Sequence, residues 1–289
     1  MIRKLCIVGV GLIGGSLARA LREAGECQEI VGSSRDAGHL QRAVDLGVID
    51  RYELNLARAV DGADMVVVCV PMGAMEAVFR AISSHLSSDA VLTDAGSSKV
   101  SVVNAAKAAF GTCPPNFVPA HPVAGTENSG VEASFASLYR GRRVIVTPTE
   151  TSSREATRRV KDMWAATGAE LSEMAPGQHD LVLAATSHLP HLLAYNLVDV
   201  LGRMEQSQEI FKYAAGGFRD FSRIASSDPT MWHDICIANG PAILEALRSY
   251  QADLGAIEKA IENGDSEYLY EVFTRSKSLR DRYTESDVS

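Results

Sequence analysis

The sequence predicts an α/β fold, with a doubly wound parallel sheet in the N-terminal half and an all-helical C-terminal half. Short apolar runs alternate with helical periods from residue 4 to residue 174, a glycine-rich turn joins the first run to the first helix, and only helical periods follow. With 289 residues the chain has the length of two ordinary domains, which we place at residues 1–174 and 175–289.

The elements of the first half are predicted from apolar runs that contain β-branched residues and are bounded by glycine or proline. The expected strands cover residues 4–10, 29–34, 63–71, 90–96, 116–122, 142–148 and 169–174. The expected helices cover residues 12–24, 37–47, 72–86, 99–110 and 151–167. Because strands alternate with helices, we expect a doubly wound sheet whose ligand lies at the carboxyl ends of its strands.

The turn after the first strand contains Gly9, Gly11 and Gly14 in the spacing GxGxxG. In a Rossmann-type domain the first glycine permits a tight turn, the second lets a pyrophosphate approach the backbone, and the third lets the helix pack on the strand. The amides at the start of the helix, which include those of Leu12 and Ile13, would face the anion. The strand–turn–helix context therefore predicts a dinucleotide site rather than a simple glycine-rich turn.

The cofactor is expected to be NAD or NADP, and the residues after the second strand bear on the choice. An acidic side chain there normally binds the ribose 2′-hydroxyl of NAD. By our count Ser34 occupies this position and Arg35 follows it, a pair that would tolerate a 2′-phosphate, so NADP is favoured. NAD stays open, because Asp36 would take the acidic position if the strand ended later.

Polar and turn-forming residues follow three of the expected strands. They are Pro71, the segment 94–99 and the segment 121–127, and the strand-end rule places them along one crevice with the glycine turn. His121 is the candidate catalytic base, since the ordinary pKa of histidine, about 6.5, suits proton removal near neutral pH. Ser97 is a candidate both for capping the next helix and for a hydrogen bond to a substrate hydroxyl.

The second half is predicted to contain long helices at residues 177–204, 229–264 and 265–283. The first is apolar nearly all round, as in a helix buried in a bundle or a dimer, and we expect Pro190 to kink it. Arg219 and Arg223 stand four residues apart in a segment that begins with two glycines. At helical spacing they face the same way, which suits a carboxylate substrate.

Composition argues against several classes of function. The formal net charge of −8 disfavours a nucleic-acid surface. The five cysteines lack CxxC spacing, and His188 and His191 have no acidic partner at metal-ligand spacing, so we expect no disulfide framework and no metal. No apolar run approaches the ~20 residues that span a bilayer, so we expect a cytoplasmic protein that acts on a small molecule and is not bound to a membrane.

Five segments, in order, carry a specific resemblance. They are "GVGLIGGS", "DAGSSK", "HPVAGTENSGVEAS", "SHLPH" and "GGFRDFSRIASSDPTMW", and together they extend over nearly the whole chain. In these segments the sequence resembles the prephenate/arogenate dehydrogenase family of tyrosine biosynthesis. The resemblance implies oxidative decarboxylation of prephenate to 4-hydroxyphenylpyruvate, or of arogenate to tyrosine, with hydride transfer from the substrate ring to the nicotinamide.

The resemblance also implies roles for individual residues. His121 matches the family's base for the ring hydroxyl, with Ser97 beside it, and Arg223 matches the arginine that binds a substrate carboxylate. Further pocket positions are matched by His179, Ser187, His191, Thr126, Glu127, Gly216 and Asp220. Trp232 matches a residue that reaches the neighbouring subunit's site, which implies a homodimer formed by the helical domain. Arg219 stands where some relatives carry lysine, which changes the geometry offered to a carboxylate.

Other interpretations stay open. A β-hydroxyacid dehydrogenase or an imine reductase shares the glycine turn and the helical tail, but usually carries a catalytic lysine or another acid, and no such lysine lies between Gln178 and Arg203. A dinucleotide sensor without turnover would need the glycine turn but has no use for His121, Ser97 and Arg223 together. The sequence does not decide between prephenate and arogenate as the substrate.

Overall fold

The computed structural model describes residues 1–126 and 128–286, so Glu127 lies outside the described residues. Contacts divide the chain into two compact units, Met1–Ala242 and Ile243–Ser289. The first unit contains both sheets and the helices that follow them as far as residue 242. This division reflects contacts, and the domain boundary expected at residue 174 stays a prediction.

The first sheet has five parallel strands in the order β3-β2-β1-β4-β5. The strands are β1 Ile2–Val8, β2 Cys27–Ser33, β3 Arg51–Tyr52, β4 Met65–Val68 and β5 Val91–Asp94. The chain starts in the middle of the sheet and builds outward on each side, which is the predicted doubly wound arrangement. β3 was not predicted, because two residues give no recognisable period.

Helices pack on this sheet, and alternate residues of its central strand enter two different cores. Leu5 and Ile7 of β1 belong to the same core as Trp164, whereas Cys6 and Val8 belong to the core that contains Phe79. The helices of this half are α1 Leu12–Glu23, α2 Ala37–Asp45, α3 Leu56–Val60, α4 Met75–Ile82, α5 Lys99–Phe110 and α6 Arg154–Ala166. Because both faces are covered by apolar contacts, the strand ends are the part of the sheet left for polar chemistry.

A second sheet follows, with strands in the order β6-β7-β8. The strands are β6 Ala120–Pro122, β7 Arg143–Val146 and β8 Glu170–Glu173. β6 runs antiparallel to β7, and a parallel bridge between Leu92 and Phe117 links the preceding segment to the first sheet. Pro119 has no N–H with which to extend that bridge, and the chain then pairs with β7. The strand expected at residues 116–122 is therefore found only over Ala120–Pro122, with His121 inside it, and it belongs to the second sheet rather than to the doubly wound one.

The remaining helices begin after β8. They are α7 Pro176–Leu183, α8 Leu189–Gly202, α9 Ser207–Lys212, α10 Gly216–Ser222, α11 Pro229–Ala238, α12 Gly240–Asn263 and α13 Ser266–Ser286. A π-helical turn, Ala184–His188, joins α7 to α8, and in it the amide of Leu189 bonds the carbonyl of Ala184. The sequence predicts a kink at Pro190. The structure widens the turn just before the proline, which has no N–H to donate. The kink itself stays a prediction.

One helical stretch in the described part of the chain, Pro176–Gly202, is long and apolar enough to cross a membrane by length and composition alone. It has 27 residues and contains an 18-residue window with a mean hydropathy of 1.2. A search for unbroken apolar runs misses it, because polar residues interrupt the helix. Three of these, His179, Asp180 and His188, are buried and hydrogen-bonded within the protein. Such internal bonds are typical of a core helix.

Candidate active site

The glycine turn has the shape that its sequence predicts. Gly9 has a φ of 97°, and a Cβ there would lie 2.5 Å from the carbonyl oxygen of Cys69. A Cβ on Gly14 would lie 2.2 Å from the carbonyl oxygen of Gly9. Both distances are too short for real atoms, so the tight turn and the packing of α1 on β1 exclude side chains at these positions.

The start of α1 is open. Gly11 is the residue before the helix, and a Cβ built on it meets nothing within 4 Å. No side-chain oxygen of the described residues caps this helix, so the amides of its first turn, including those of Leu12 and Ile13, are left for another acceptor. Backbone amides without a capping side chain, at the start of a helix and next to the end of a strand, are typical of a site that binds the pyrophosphate of a dinucleotide.

The end of β2 agrees with the count made from the sequence. The strand ends at Ser33, so Ser34 is the first residue beyond it, and Arg35 is exposed. The carboxylate of Asp36 caps α2 by accepting a hydrogen bond of 3.0 Å from the amide of His39. Asp36 would take the acidic position only if the strand ended later, and the strand does not.

The loop after β4 contacts the helical part of the chain. Pro71 is exposed and precedes a short 3₁₀ turn at Met72–Ala74. The amide of Gly73 in that turn donates a hydrogen bond of 3.0 Å to Oδ2 of Asp234 on α11. A Cβ on Gly73 would lie 2.9 Å from the same oxygen. The contact holds α11 against the loop whose first residue, Cys69, packs on the glycine turn.

His121 begins a chain of three hydrogen-bonded side chains. Its Nδ1 lies 2.8 Å from Nε2 of His179, and Nδ1 of His179 lies 2.8 Å from Oδ1 of Asp180. The exposed fractions of the three residues are 8%, 0% and 4%. Nε2 of His121 takes no part in these bonds. The hydrogen bonds therefore connect β6 to α7. They leave Nε2 of His121 available to another group.

Asp180 caps α5 from outside that helix. Its carboxylate accepts hydrogen bonds from the amides of Lys99 and Val100, at 2.7 and 2.9 Å, and from the hydroxyl of Ser98 at 3.1 Å. Burial raises the pKa of Asp180, but the hydrogen bonds from His179 and the two amides outweigh it and hold the pKa below its ordinary value. Asp180 is therefore a carboxylate at neutral pH.

The N-cap residue of α5 is Ser98 rather than Ser97. The candidate for the cap, Ser97, lies one residue too early, because two serines are adjacent and a helical period does not define a boundary to one residue. Ser97 is half-buried in the bend before the helix. Its hydrogen bond to a substrate hydroxyl stays a prediction.

A buried ion pair stands beside β6. Nζ of Lys99 lies 2.5 Å from Oδ2 of Asp94 and 2.7 Å from the carbonyl oxygen of Ala120, and neither charged side chain is exposed. The amide of Ala120 donates to the other oxygen of Asp94 at 3.3 Å. The pair therefore binds both sides of the residue that precedes His121. Sequence reasoning missed this role, although a strand-end aspartate five residues before a lysine was visible in "DAGSSK".

The buried histidines of the site are uncharged at neutral pH. Burial lowers the pKa of His121 well below its ordinary value, and the nearby His179 and Lys99 lower it further. Burial also lowers the pKa of His179, although Asp180 opposes this. Burial lowers the pKa of His188 to about 4. An uncharged His121 has a lone pair that can accept a proton, as a general base requires.

Trp232 packs within its own chain. Its ring stacks on His191 with the centroids 3.8 Å apart, and it meets His188 edge-on at 6.1 Å. The side chain is 9% exposed. The resemblance implies that this tryptophan reaches the neighbouring subunit's site. Within the single chain the indole stacks on His191 and meets His188 edge-on. Its role at a neighbouring subunit's site stays a prediction.

Asn239 is a further member of the cluster that sequence reasoning missed. Its Nδ2 donates a hydrogen bond of 2.9 Å to the carbonyl of Asp180 and lies 3.0 Å from Nδ1 of His188. The residue follows the end of α11 and is 3% exposed. Nothing in a single sequence marks an asparagine between two helices as the partner of a histidine 51 positions away.

The arginine expected to bind a carboxylate, Arg223, begins a short 3₁₀ turn, Arg223–Ser226, that contacts α8, the helix of His191. Burial lowers the pKa of His191, and the charge of Arg223 lowers it further. Nδ1 of His191 lies 2.8 Å from the carbonyl oxygen of Ser187, which is half-buried. Arg223 is exposed, as are the other three candidates of this segment, Gly216, Arg219 and Asp220.

The loop after β6 carries the last candidates. Thr126 is exposed, and its hydroxyl accepts a hydrogen bond of 3.2 Å from the amide of Asn128. Glu127 lies outside the described residues. The roles of both residues at the substrate stay predictions.

Comparison with known proteins covers both halves of the chain. Residues 17–173 match the family model described as "Prephenate dehydrogenase, nucleotide-binding domain". Residues 175–275 match the one described as "Prephenate dehydrogenase, dimerization domain". The cyclohexadienyl dehydrogenase of Zymomonas mobilis is 38% identical in an alignment 286 positions long that covers 96% of this chain and 95% of that protein.

Solved structures agree. The prephenate dehydrogenase of Aquifex aeolicus in complex with hydroxyphenyl propionate and NAD⁺ is 37% identical, with a TM-score of 0.90 over 97% of this chain and 98% of that chain. The arogenate dehydrogenase of Synechocystis is 26% identical, with a TM-score of 0.82 over 97% of this chain and 99% of that chain. The two matched domains, together with these relatives, show that the chain belongs to the prephenate dehydrogenase family.

Proposed function

We propose that the protein oxidises and decarboxylates prephenate to 4-hydroxyphenylpyruvate, a step of tyrosine biosynthesis, with reduction of a nicotinamide dinucleotide. Family membership and the activities for which the relatives are named support this proposal. The observation that carries it is the state of His121, an uncharged imidazole anchored at Nδ1. We assign the cation to Arg223, whose turn contacts α8, the helix of His191. A base and a cation are what a hydroxylated dicarboxylate needs for this reaction.

In the proposed reaction a hydride leaves the ring carbon that carries the hydroxyl group, and the hydroxyl oxygen loses its proton. Carbon dioxide leaves the opposite ring carbon. The nicotinamide, when bound, supplies the hydride acceptor. We assign the proton to Nε2 of His121, because Nδ1 is already bonded to His179. The two electrons lost by the substrate leave with the hydride, and the electron pair of the broken carbon–carbon bond completes the aromatic ring. The ring oxygen is then a phenolate, and Nε2 of His121 returns the proton to it, which gives 4-hydroxyphenylpyruvate.

We assign dinucleotide binding to the glycine turn. Gly9 and Gly14 give the turn its shape, Gly11 leaves room for the pyrophosphate, and the amides of Leu12 and Ile13 donate to it. Pro71 borders the same edge from the loop after β4.

For the choice of cofactor we favour NADP. Ser34 directly follows β2 and Arg35 is exposed next to it, so a 2′-phosphate meets a cation and no carboxylate at that position. NAD is the alternative, since the Aquifex aeolicus relative binds NAD⁺. The ratio of kcat/KM for NADP and NAD, measured at saturating prephenate, decides between them, and a ratio below one contradicts our preference.

We assign substrate carboxylate binding to Arg223, with Arg219 adding positive charge one helical turn earlier. The proposed pocket further includes Ser187, His191, Trp232, Thr126, Glu127, Gly216 and Asp220. We no longer assign a substrate contact to His179, because both of its ring nitrogens have protein partners and its side chain is fully buried.

We also propose a cytoplasmic homodimer formed by the helical domain, residues 175–289. The family model calls residues 175–275 a dimerization domain. On α7 and α8, Leu181, Val182 and Val200 are 52%, 40% and 37% exposed in the single chain, and a second copy would cover such apolar surface. Light scattering of the purified protein tests this, and a monomer at working concentration contradicts it.

Arogenate is the alternative substrate, alone or together with prephenate. A Synechocystis relative is an arogenate dehydrogenase, and the name of the Zymomonas mobilis relative covers both compounds. The test is to follow reduced nicotinamide by absorbance with each substrate and each cofactor, and to identify the product. We expect a higher kcat/KM for prephenate. Failure to reduce either cofactor with either substrate would overturn the proposed function.

A further inference from the structure

The hydrogen bond between His121 and His179 can form with either of two proton arrangements, and the two rings alone do not determine which one is present. Nδ1 of His121 faces Nε2 of His179 at 2.8 Å. Both imidazoles are uncharged at neutral pH, so each carries one proton. Their hydrogen bond forms with that shared proton on either nitrogen, and the two arrangements leave His121 with opposite properties at Nε2.

Asp180 decides between the two arrangements. Its Oδ1 lies 2.8 Å from Nδ1 of His179, and a carboxylate only accepts hydrogen bonds. The proton of His179 must therefore reside on Nδ1, which makes its Nε2 an acceptor. His121 must then donate from Nδ1, and its Nε2 is left with a free lone pair.

The carboxylate is held in this role by α5. The amides of Lys99 and Val100 and the hydroxyl of Ser98 all donate to it, so with His179 it accepts four hydrogen bonds. Donors at a helix start stabilise the anionic form and fix its direction. A protonated or rotated Asp180 would lose these bonds.

We infer that Asp180 is a positioning residue that acts through His179 to keep Nε2 of His121 unprotonated and available to the substrate hydroxyl. Only the last step of the inference, the interaction of Nε2 with the substrate hydroxyl, rests on the proposed function. The tautomer of His121 is a property of the protein without substrate. When His121 takes the substrate proton at Nε2 it becomes an imidazolium, and the charge of Asp180 stabilises it through His179. No proton needs to reach Asp180.

The direct test is heteronuclear NMR of the histidine rings in the full-length protein without substrate. The signals of His121 are identified as those missing from His121→Asn. We expect Nδ1 of His121 to be protonated and Nε2 to be unprotonated near neutral pH, and the same for Nδ1 and Nε2 of His179. A proton on Nε2 of His121 would overturn the inference.

Variants of His179 test the consequence for turnover. In His179→Gln the side-chain oxygen can accept from His121 while the amide nitrogen donates to Asp180, so the arrangement is kept. His179→Leu loses the imidazole as well, but offers no acceptor. We expect kcat to fall by roughly 10²-fold in His179→Leu and to be largely retained in His179→Gln, with little change in KM for either. Equal losses in the two variants would mean a packing role and would contradict the inference.

Asp180→Ala tests the last member of the hydrogen-bonded chain. We expect some of the molecules to carry a proton on Nε2 of His121, and we expect kcat to fall. The position of the His121 side chain should not change. Since this variant also loses a helix cap, the control is Ser153→Ala, which removes the hydroxyl that caps α6 through the amide of Ala156. The control should change neither the ring signals nor kcat. If Asp180→Ala does not fold, the His179 pair and the wild-type spectrum still decide.

The inference and the proposed function fail in different ways. A wild-type protein that shows the expected tautomers but does not turn over prephenate contradicts the function and leaves the tautomer assignment intact. A wild-type protein that turns over prephenate with a proton on Nε2 of His121 contradicts the inference and leaves the function intact.

Discussion

Nζ of Lys99 lies 2.5 Å from Oδ2 of Asp94 at a position where neither side chain has any solvent exposure. The same ammonium group bonds the carbonyl of Ala120, so the ion pair holds the residue next to His121. Taking two charges out of water is costly, and a buried pair of this kind is compensated only while both partners and their further hydrogen bonds are present.

The first prediction concerns this pair. Lys99→Met should lower the free energy of unfolding by about 3–5 kcal/mol, because Asp94 is left as a buried unpaired charge. The double variant Asp94→Asn with Lys99→Met should be more stable than Lys99→Met alone, since no buried charge is left. Denaturant unfolding measures the double variant and the two single variants, Lys99→Met and Asp94→Asn. A double variant whose loss equals the sum of the two single losses would contradict an energetic coupling of the pair.

The glycine turn offers a pair of substitutions with opposite expected effects. Gly14→Ala should lower the melting temperature, because its Cβ would lie 2.2 Å from the carbonyl oxygen of Gly9. Gly11→Ala should leave the melting temperature unchanged, because its Cβ meets nothing within 4 Å. The same substitution should weaken dinucleotide binding by about tenfold or more, since the methyl group occupies the path of the pyrophosphate. Unchanged cofactor affinity in Gly11→Ala would speak against the assigned site.

The lowered pKa of His188 predicts how stability depends on pH. As the pH falls below about 6.5 the unfolded chain binds a proton at this residue and the folded chain does not, so the free energy of unfolding decreases until the pH reaches about 4. Between about pH 7 and about pH 5 the wild type should lose about 2 kcal/mol more than His188→Gln. Urea unfolding at the two pH values measures the difference. Identical pH dependence in wild type and variant would contradict the assigned shift.

Arg223 is predicted to act in binding rather than in the chemical step. Arg223→Ala should raise KM for prephenate by roughly 10- to 100-fold, the amount expected for a lost charge-assisted contact, with a smaller change in kcat. The matched control is Arg203→Ala, which removes an exposed guanidinium that pairs with Asp199 on α8. An effect on KM of the same size in both variants would mean that the site responds to net charge alone.

Local patterns predicted the elements that depend on local residues. α5 was expected at residues 99–110 and is found there, because the glycine that follows Phe110 has a φ of 83° and ends the helix. β1 and β2 were predicted with their ends shifted by two residues or fewer. These elements combine an apolar period with a glycine at one end, and both signals lie within the segment itself.

The errors come from contacts between distant segments. β6 was assigned to the first sheet because its composition suits a buried strand, but its partner is β7, more than twenty residues later in the sequence. α11 and α12 were predicted as one helix, and Asn239 separates them while bonding Asp180 59 positions away. The histidines were recognised individually from the sequence. Their order in one hydrogen-bonded chain, with Asp180 at its end, depends on the fold.

The central claim is that His121 removes the hydroxyl proton of prephenate during hydride transfer. The most direct measurement is the single-turnover rate of cofactor reduction with prephenate in the wild type and in His121→Asn, together with the dissociation constants of substrate and cofactor. We predict a rate at least roughly 10²-fold lower in the variant, with both dissociation constants little changed. A single-turnover rate equal to that of the wild type would contradict the account.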